Sequence, residues 1–125
     1  MIALELSDLI ILTRETHDRV LLAGQIPGEA PDKSLESILS RPYNKLHYGL
    51  MNDVYDYAAS VCSSIVCGHA FNDGNKRTGF AVMAVILELN EIELIGDPIE
   101  LADIIVQVAM GMIDSDDLAA ILRYR

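Results

Sequence analysis

Apolar residues recur along this chain at helical spacing, in runs separated by glycine, proline and acidic punctuation. Leu9, Leu12, Thr16 and Val20 share one face of a helix predicted from Asp8 to Leu22, with Ser7 as its N-cap. The breaker-rich stretch Ala23-Gly24-Gln25-Ile26-Pro27-Gly28 ends it, and Pro31 keeps the chain irregular. A short helix starts at Asp32 or Ser34, carries Leu35, Ile38 and Leu39, and is expected to stop at Pro42, leaving 43–49 as loop. A long helix follows from about Leu50 to Val66, with Leu50, Val54, Tyr57, Val61, Ser64 and Ile65 on one face. Asn52, Asp53 and Asp56 lie near its start, where acids suit the helix dipole.

Gly68 opens a polar turn, His69 to Asn75, and a second long helix runs from Lys76 to Asn90. From Phe80 to Leu87 that helix is apolar almost all round, the pattern of a helix packed on several sides. Glu91 to Gly96 reads as an extended link with room for a strand of two or three residues. Asp97-Pro98-Ile99-Glu100 is a strong helix start, with Asp as N-cap, Pro at N1 and Glu at N3, for a helix carrying Leu101, Ile104, Ile105 and Val108 to about Met112. A last helix begins at Ser115, with Asp116 and Asp117 in its first turn, Leu118, Ile121 and Leu122 buried, and Arg123 and Arg125 at its end. The pattern predicts an all-α domain of five to seven helices spanning 1–125, without a convincing sheet and without internal repeats.

Composition narrows what such a bundle can do. The 125 residues are 51% hydrophobic and carry 9 Lys+Arg against 19 Asp+Glu, a net charge of −10. That length buries roughly two-thirds of the unfolded surface in one core, and the composition excludes a disordered or collagen-like chain. The acid excess argues against nucleic acid or an anionic membrane as direct partner, since both require a basic face. The first residues lack the basic region of a signal peptide, and the longest apolar run falls well short of the ~18 residues that span a bilayer. Cys62 and Cys67 stand about 140° apart on a helix, unsuited to a disulfide, and read as two small buried apolar residues. Reduced cysteines and the missing export signal point to the cytoplasm.

One segment breaks the rules the rest obeys. In His69-Ala70-Phe71-Asn72-Asp73-Gly74-Asn75-Lys76-Arg77-Thr78, two cations stand in the first turn of a helix, at the positive end of its dipole. The other helix starts carry acids there, at Asp8, Asp53, Glu100 and Asp116. Such a local violation marks a candidate functional site. A bound anion would make it favourable, because the N–H groups of Gly74, Asn75, Lys76 and Arg77 would converge with two basic side chains on a phosphate. Gly74 lets the backbone turn tightly. Asp73 is placed as a ligand for a Mg²⁺ bridging to phosphate. His69, before the turn, suits a general base for an attacking hydroxyl. Phe71 is large enough to anchor the loop in the core.

A P-loop is excluded: five residues separate Gly68 from Gly74, Asn75 intervenes before the lysine, and the preceding segment is helical. Taken singly, Asn-Asp-Gly is a turn and Lys-Arg a solvated pair, and His17 and His47 read as capping or surface residues. Together at one helix–turn–helix junction, the residues define a Mg²⁺-dependent phosphate-handling site with a histidine base.

The string resembles the signature of the Fic/Doc family, His-x-Phe-x-Asp/Glu-Gly-Asn-Gly/Lys-Arg between two helices, and most closely its Doc (death-on-curing) branch. The looser Gln25-Ile26-Pro27-Gly28 loop and the Asp97-Pro98 start with Leu101-Ala102-Asp103 are similar as well. The resemblance implies a Fic/Doc-type helical bundle and ATP as co-substrate. Fic enzymes transfer AMP from ATP to a target hydroxyl. The Doc branch has lysine where Fic has the second motif glycine, here Lys76, and passes the γ-phosphate to a threonine of elongation factor Tu, arresting translation. Carried over, His69 is the general base, Asp73 the metal ligand and hydroxyl positioner, Gly74 a source of backbone N–H groups, and Asn75, Lys76 and Arg77 phosphate contacts.

Two positions depart from the pattern: Phe80 replaces the second Fic arginine, which weighs against AMP transfer, and Cys67 replaces an arginine of some Doc proteins. No Ser or Thr precedes a Glu-Gly/Asn pair at the spacing of the Fic inhibitory helix, so inhibition is expected in trans, by a cognate antitoxin seated beside the first two helices. A Doc-like kinase toxin is the leading reading. A Fic-type AMP transferase is the runner-up, and a non-catalytic binding module of the same fold comes third.

Overall fold

In a computed structural model describing residues 1–124, the chain forms six α-helices: α1 Leu6–Val20, α2 Leu35–His47, α3 Val54–Gly68, α4 Asn75–Leu89, α5 Pro98–Ala109 and α6 Ser115–Arg123. Arg125, expected at the end of α6, lies outside the described residues. No strand forms among those residues; the stretch 91–96 is an unpaired link, and the one β-bridge joins Glu29 to Phe71.

α3 is the central element, packed against α4, α6, α2 and α5, while α1 closes the other side on α4 and α2. Ala58, Ala59, Val61, Cys62, Ile65 and Val66 are all buried on one broad face of α3, and Cys67 is its one exposed residue. One continuous core takes residues from every helix and includes Ala70 and Phe71 of the turn between α3 and α4.

Several boundaries move for physical reasons. α1 starts before Ser7, with Glu5 as an N-cap that makes no side-chain bond, because the earlier start lets Leu6 pack against the core. It ends at Val20 rather than Leu22, and its buried face is Leu9, Thr13, Thr16 and His17, rotated away from Leu12 and Val20. Pro42 does not end α2; the helix runs through it to His47. Proline inside a helix costs about 3 kcal/mol. Here its ring is buried, Tyr43 donates its hydroxyl to Glu5 at 3.1 Å, and Leu46 packs on the core, which offsets that cost.

The true stop signal is Gly49, in the left-handed region at φ 71°. Its N–H donates to Leu46 O and that of Leu50 to Lys45 O, the paired bonds of a Schellman motif. Leu50 therefore lies outside α3, 71% exposed, and Asp53 is the N-cap of α3, its carboxylate accepting the Asp56 N–H. Gly111, at φ 74°, ends α5 the same way, before Met112. α6 starts on a reciprocal capping box between Asp114 and Asp117; it buries Leu118 and Leu122 with Ala119, and leaves Ile121 half-buried.

The cysteines divide. Cys62 is buried, and burial pushes its thiol up to about 12, leaving it unreactive. Cys67 is exposed, contrary to expectation, because it faces outward on the last turn of α3 with its thiol toward Val108 O.

Arg123 ties the end of α6 to the start of α3, with Nε 2.8 Å from Asp53 and Nη2 3.1 Å from Asp56. The Arg123 hydrogen bond holds the Asp53 carboxyl below the usual carboxylate range. A depressed folded pKa stabilises above the unfolded value of about 3.9, and that contribution is lost as pH falls through the folded value. Arg123→Gln is therefore expected to melt below wild type near pH 7. The gap should close in acid, as the carboxyl protonates in both proteins; thermal melts at the two pH values check this. A gap that stays constant from neutral to acid pH would assign the loss to packing instead.

Candidate active site

The segment singled out by its sequence lies where α3 and α4 meet. α3 runs to Gly68, and His69 takes the left-handed conformation at φ 49° and ψ 51°. Left-handed backbone is uncommon outside glycine, and histidine is among the residues that adopt it more readily. It ends α3 abruptly and leaves His69 exposed, with no hydrogen bond from its ring among the described residues.

The turn is then pinned on three sides. Phe71, 3% exposed, enters the core and stacks on His17 of α1, ring centroids 3.9 Å apart and planes within 6°. Asn75 clamps it from the other side: its Oδ1 accepts the Phe71 N–H and its Nδ2 donates to the Phe71 carbonyl, both at 2.9 Å. The loop of residues 26–30 lies along the turn, where Ala30 N–H donates to Ala70 O and Asn72 N–H to Gly28 O. The Asn72 amide adds bonds to Pro27 O and Gly28 O. Arg14 of α1 holds the loop's Glu29 at 3.1 Å.

Asp73 is half-buried, and its Oδ2 accepts the Ile26 N–H at 2.7 Å. That leaves the second carboxylate oxygen without a partner among the described residues. Gly74, at φ 77°, is the N-cap of α4 and provides no side-chain cap. Of the six described helices, α4 alone has no acid in its first turn. In place of an acid stand Lys76 and Arg77, both exposed. The positive end of this helix is thus uncapped, uncompensated and flanked by cations, the electrostatic form of an anion site.

The donor set bears on a metal too. No group of three or more His, Cys, Asp and Glu side chains converges among the described residues. One carboxylate beside an anion-ready helix start suits Mg²⁺, which takes one or two protein carboxylates together with phosphate oxygens.

Each expected site residue thus falls on or beside the turn. Asn75 has one bond from each amide atom on the Phe71 backbone, which leaves the second Nδ2 hydrogen and the main-chain N–H for a ligand. His17 is the residue sequence reasoning missed. Read as a surface or capping histidine, it is 1% exposed and bonded through Nε2 to the Asp73 carbonyl at 2.8 Å. The signal was its place one helical turn after Thr13 and two after Leu9, the same buried face. His47 is exposed at the end of α2, bonded to Tyr43 O as a terminal residue would be. A cleft of about 570 Å³ lies elsewhere, lined by Asp53, Asp56, Asp116, Arg123 and others, none from 69–78.

A helical bundle carrying a histidine, an acid and an anion-ready helix start on one buried-anchored turn defines a class of phosphate-handling domain. The chain belongs to the Fic/Doc family: the model of the Fic/DOC family matches residues 4–87, which include the whole turn. Among its relatives are "Protein kinase doc" of Escherichia phage P1 and "Toxin Doc" of Mycolicibacterium smegmatis (strain ATCC 700084 / mc(2)155). The first is 32% identical over 100 residues, covering 80% of this chain and 79% of the relative. The second is 35% identical over 115, covering 83% and 86%. These relatives put the chain on the Doc branch.

Proposed function

We propose that this chain is a Doc-type toxin of a toxin–antitoxin pair, a protein-modifying phosphotransferase that moves the γ-phosphate of ATP to a Thr or Ser hydroxyl of a translation factor, with elongation factor Tu the expected target. The observation that carries this reading is the start of α4, the one helix start without an acid among the described residues, with Lys76 and Arg77 exposed beside Asp73. The names of the relatives, a protein kinase and a toxin, agree with it.

The reaction makes few covalent demands on the protein, so positioning and charge carry it. The target hydroxyl gives its proton to the His69 imidazole while its oxygen bonds the γ-phosphorus. The bond from that phosphorus to the β–γ bridging oxygen breaks, and ADP leaves with the electron pair. The N–H groups at Gly74 and along the first turn of α4, with Lys76 and Arg77, hold the phosphates, and the free oxygen of Asp73 would hold Mg²⁺. The metal, when bound, neutralises phosphate charge. His69 accepts the proton from an exposed position at the rim, open to a protein substrate.

No helix among the described residues is long and apolar enough to cross a membrane, and the cytoplasm, where elongation factor Tu and ATP are found, is the proposed compartment. A cognate antitoxin segment is placed beside α1 and α2, where Ile11 stands exposed, its basic residues matched to the acidic surface.

A label swap tests the reading. The full chain, Mg²⁺ and elongation factor Tu are incubated with ATP carrying ³²P at the γ or at the α position. Labelling from γ alone is expected. Labelling from α alone would make the chain an AMP transferase, and no labelling from either, with ATP unbound, would leave a binding module.

A further inference from the structure

We infer that His17 is a positioning residue: it locks the peptide between Asp73 and Gly74 so that the Gly74 N–H faces the anion at the start of α4. The inference rests on the proposed phosphate site and assigns it a part outside the motif, from a helix more than fifty residues earlier.

A carbonyl oxygen can only accept, so the 2.8 Å contact between His17 Nε2 and Asp73 O requires the hydrogen on Nε2. The ring cannot turn away: it is 1% exposed and stacked face to face on Phe71, itself buried. Its Nδ1 faces Asp18, 4.0 Å away on the same helix. The Asp73 carbonyl is therefore held by a donor that two buried elements fix.

That carbonyl belongs to the peptide whose N–H is Gly74's. In a planar trans peptide the C=O and N–H point in opposite directions. Holding the oxygen toward α1 directs the Gly74 N–H away from α1, to the side where the other free N–H groups of α4 begin. Without the lock this peptide is the easiest in the turn to flip, because Gly74 sits at φ 77° and glycine populates both signs of φ freely. A flipped peptide would present a carbonyl to the phosphates, replacing a donor with a like charge. The lock also acts on the acid: Asp73 Oδ2 accepts the Ile26 N–H, so the residue whose carbonyl His17 holds also organises the neighbouring loop.

Two substitutions separate this role from simple core filling. His17→Phe keeps a stacked ring of similar volume and removes the donor, while His17→Gln keeps an N–H donor and loses the ring. Inorganic phosphate and Mg²⁺·ATP are titrated into the full chain, following the Gly74 amide by NMR. His17→Phe is expected to weaken phosphate and nucleotide affinity by about tenfold or more, the range for residues supporting a ligand-binding group. It should also erase the Gly74 amide response. His17→Gln should recover most of the affinity even though it melts lower.

Independently of any ligand, the residual dipolar coupling of the Gly74 N–H should change in His17→Phe and stay near wild type in His17→Gln. An unchanged coupling in His17→Phe, or equal affinity loss in both variants, would overturn the lock and leave a core histidine. If wild type itself shows no phosphate response, the phosphate-site reading fails, while the coupling still decides the role of His17.

Discussion

Replacing His69 with asparagine or alanine is expected to lower phosphate transfer about 10²- to 10⁴-fold, the usual share of a general base. Asparagine is the more informative replacement. His69 holds left-handed backbone at φ 49°, a conformation asparagine tolerates and alanine resists. His69→Asn therefore keeps the helix end and removes only the titratable nitrogen. The ring is exposed and bonds to nothing among the described residues, so its loss breaks no contact of the fold. His69→Asn should melt with wild type and bind Mg²⁺·ATP normally, because the phosphate groups are held by the first turn of α4. His69→Ala should lose the same activity and melt slightly lower. The measurement is γ-label transfer beside a thermal melt and nucleotide titration for all three proteins. Transfer retained by His69→Asn would remove the histidine from the chemistry and leave Asp73 as the group nearest the phosphates able to take a proton.

The helices were legible because their signals are local. Asp97-Pro98 starts α5 and Ser115, with Asp116 and Asp117, starts α6 as read, and the turn 69–77 stood out because its cations violate a rule the neighbouring helix starts obey. What sequence could not show is what depends on contacts across the chain. Pro42 is a stop signal taken alone, yet buried packing carries α2 through it and Gly49 sets the end. The loop at 26–30 has no periodicity at all; its order comes from bonds to Ala70, Asn72 and Asp73, forty or more positions away. Asn75 is the instructive case in the site. Its place in the motif suggests a phosphate contact, and the fold adds a second task, two bonds from its amide to the Phe71 backbone, that only three dimensions reveal.

Gly79→Val is expected to be the most destabilising single change near the site. A glycine inside a helix costs about 0.5–1 kcal/mol relative to alanine, so its presence on the inner face of α4 needs a reason. The reason is how closely α4 approaches α3. A Cβ on Gly79 would stand 2.7 Å from Val66 Cγ2 and 3.1 Å from the Cys62 carbonyl oxygen. One obstacle is a stiff β-branched side chain buried at 1% exposure, and the other is backbone. Neither can give way without separating the helices. Alanine should cost about 1 kcal/mol net, its better helix propensity offsetting part of the clash, and valine about 3 kcal/mol, or roughly 10 °C in Tm for a domain of this size.

Gly111→Ala is the control: nothing lies within 4 Å of its added Cβ, and only the strain of φ +74° is incurred. Adding Val66→Ala to Gly79→Ala should recover part of the loss, a coupling that distant sites would not show. The effect should also reach the chemistry. α4 carries Lys76 and Arg77 within one turn of Gly79, so spreading α3 from α4 shifts the cations relative to His69 at the end of α3. Gly79→Ala is accordingly expected to lose more transfer activity than its modest loss of stability explains, measured well below its melting temperature. Equal melting of Gly79→Val and wild type would mean that the two helices do not meet this closely, and the placement of the turn between them would have to be redrawn.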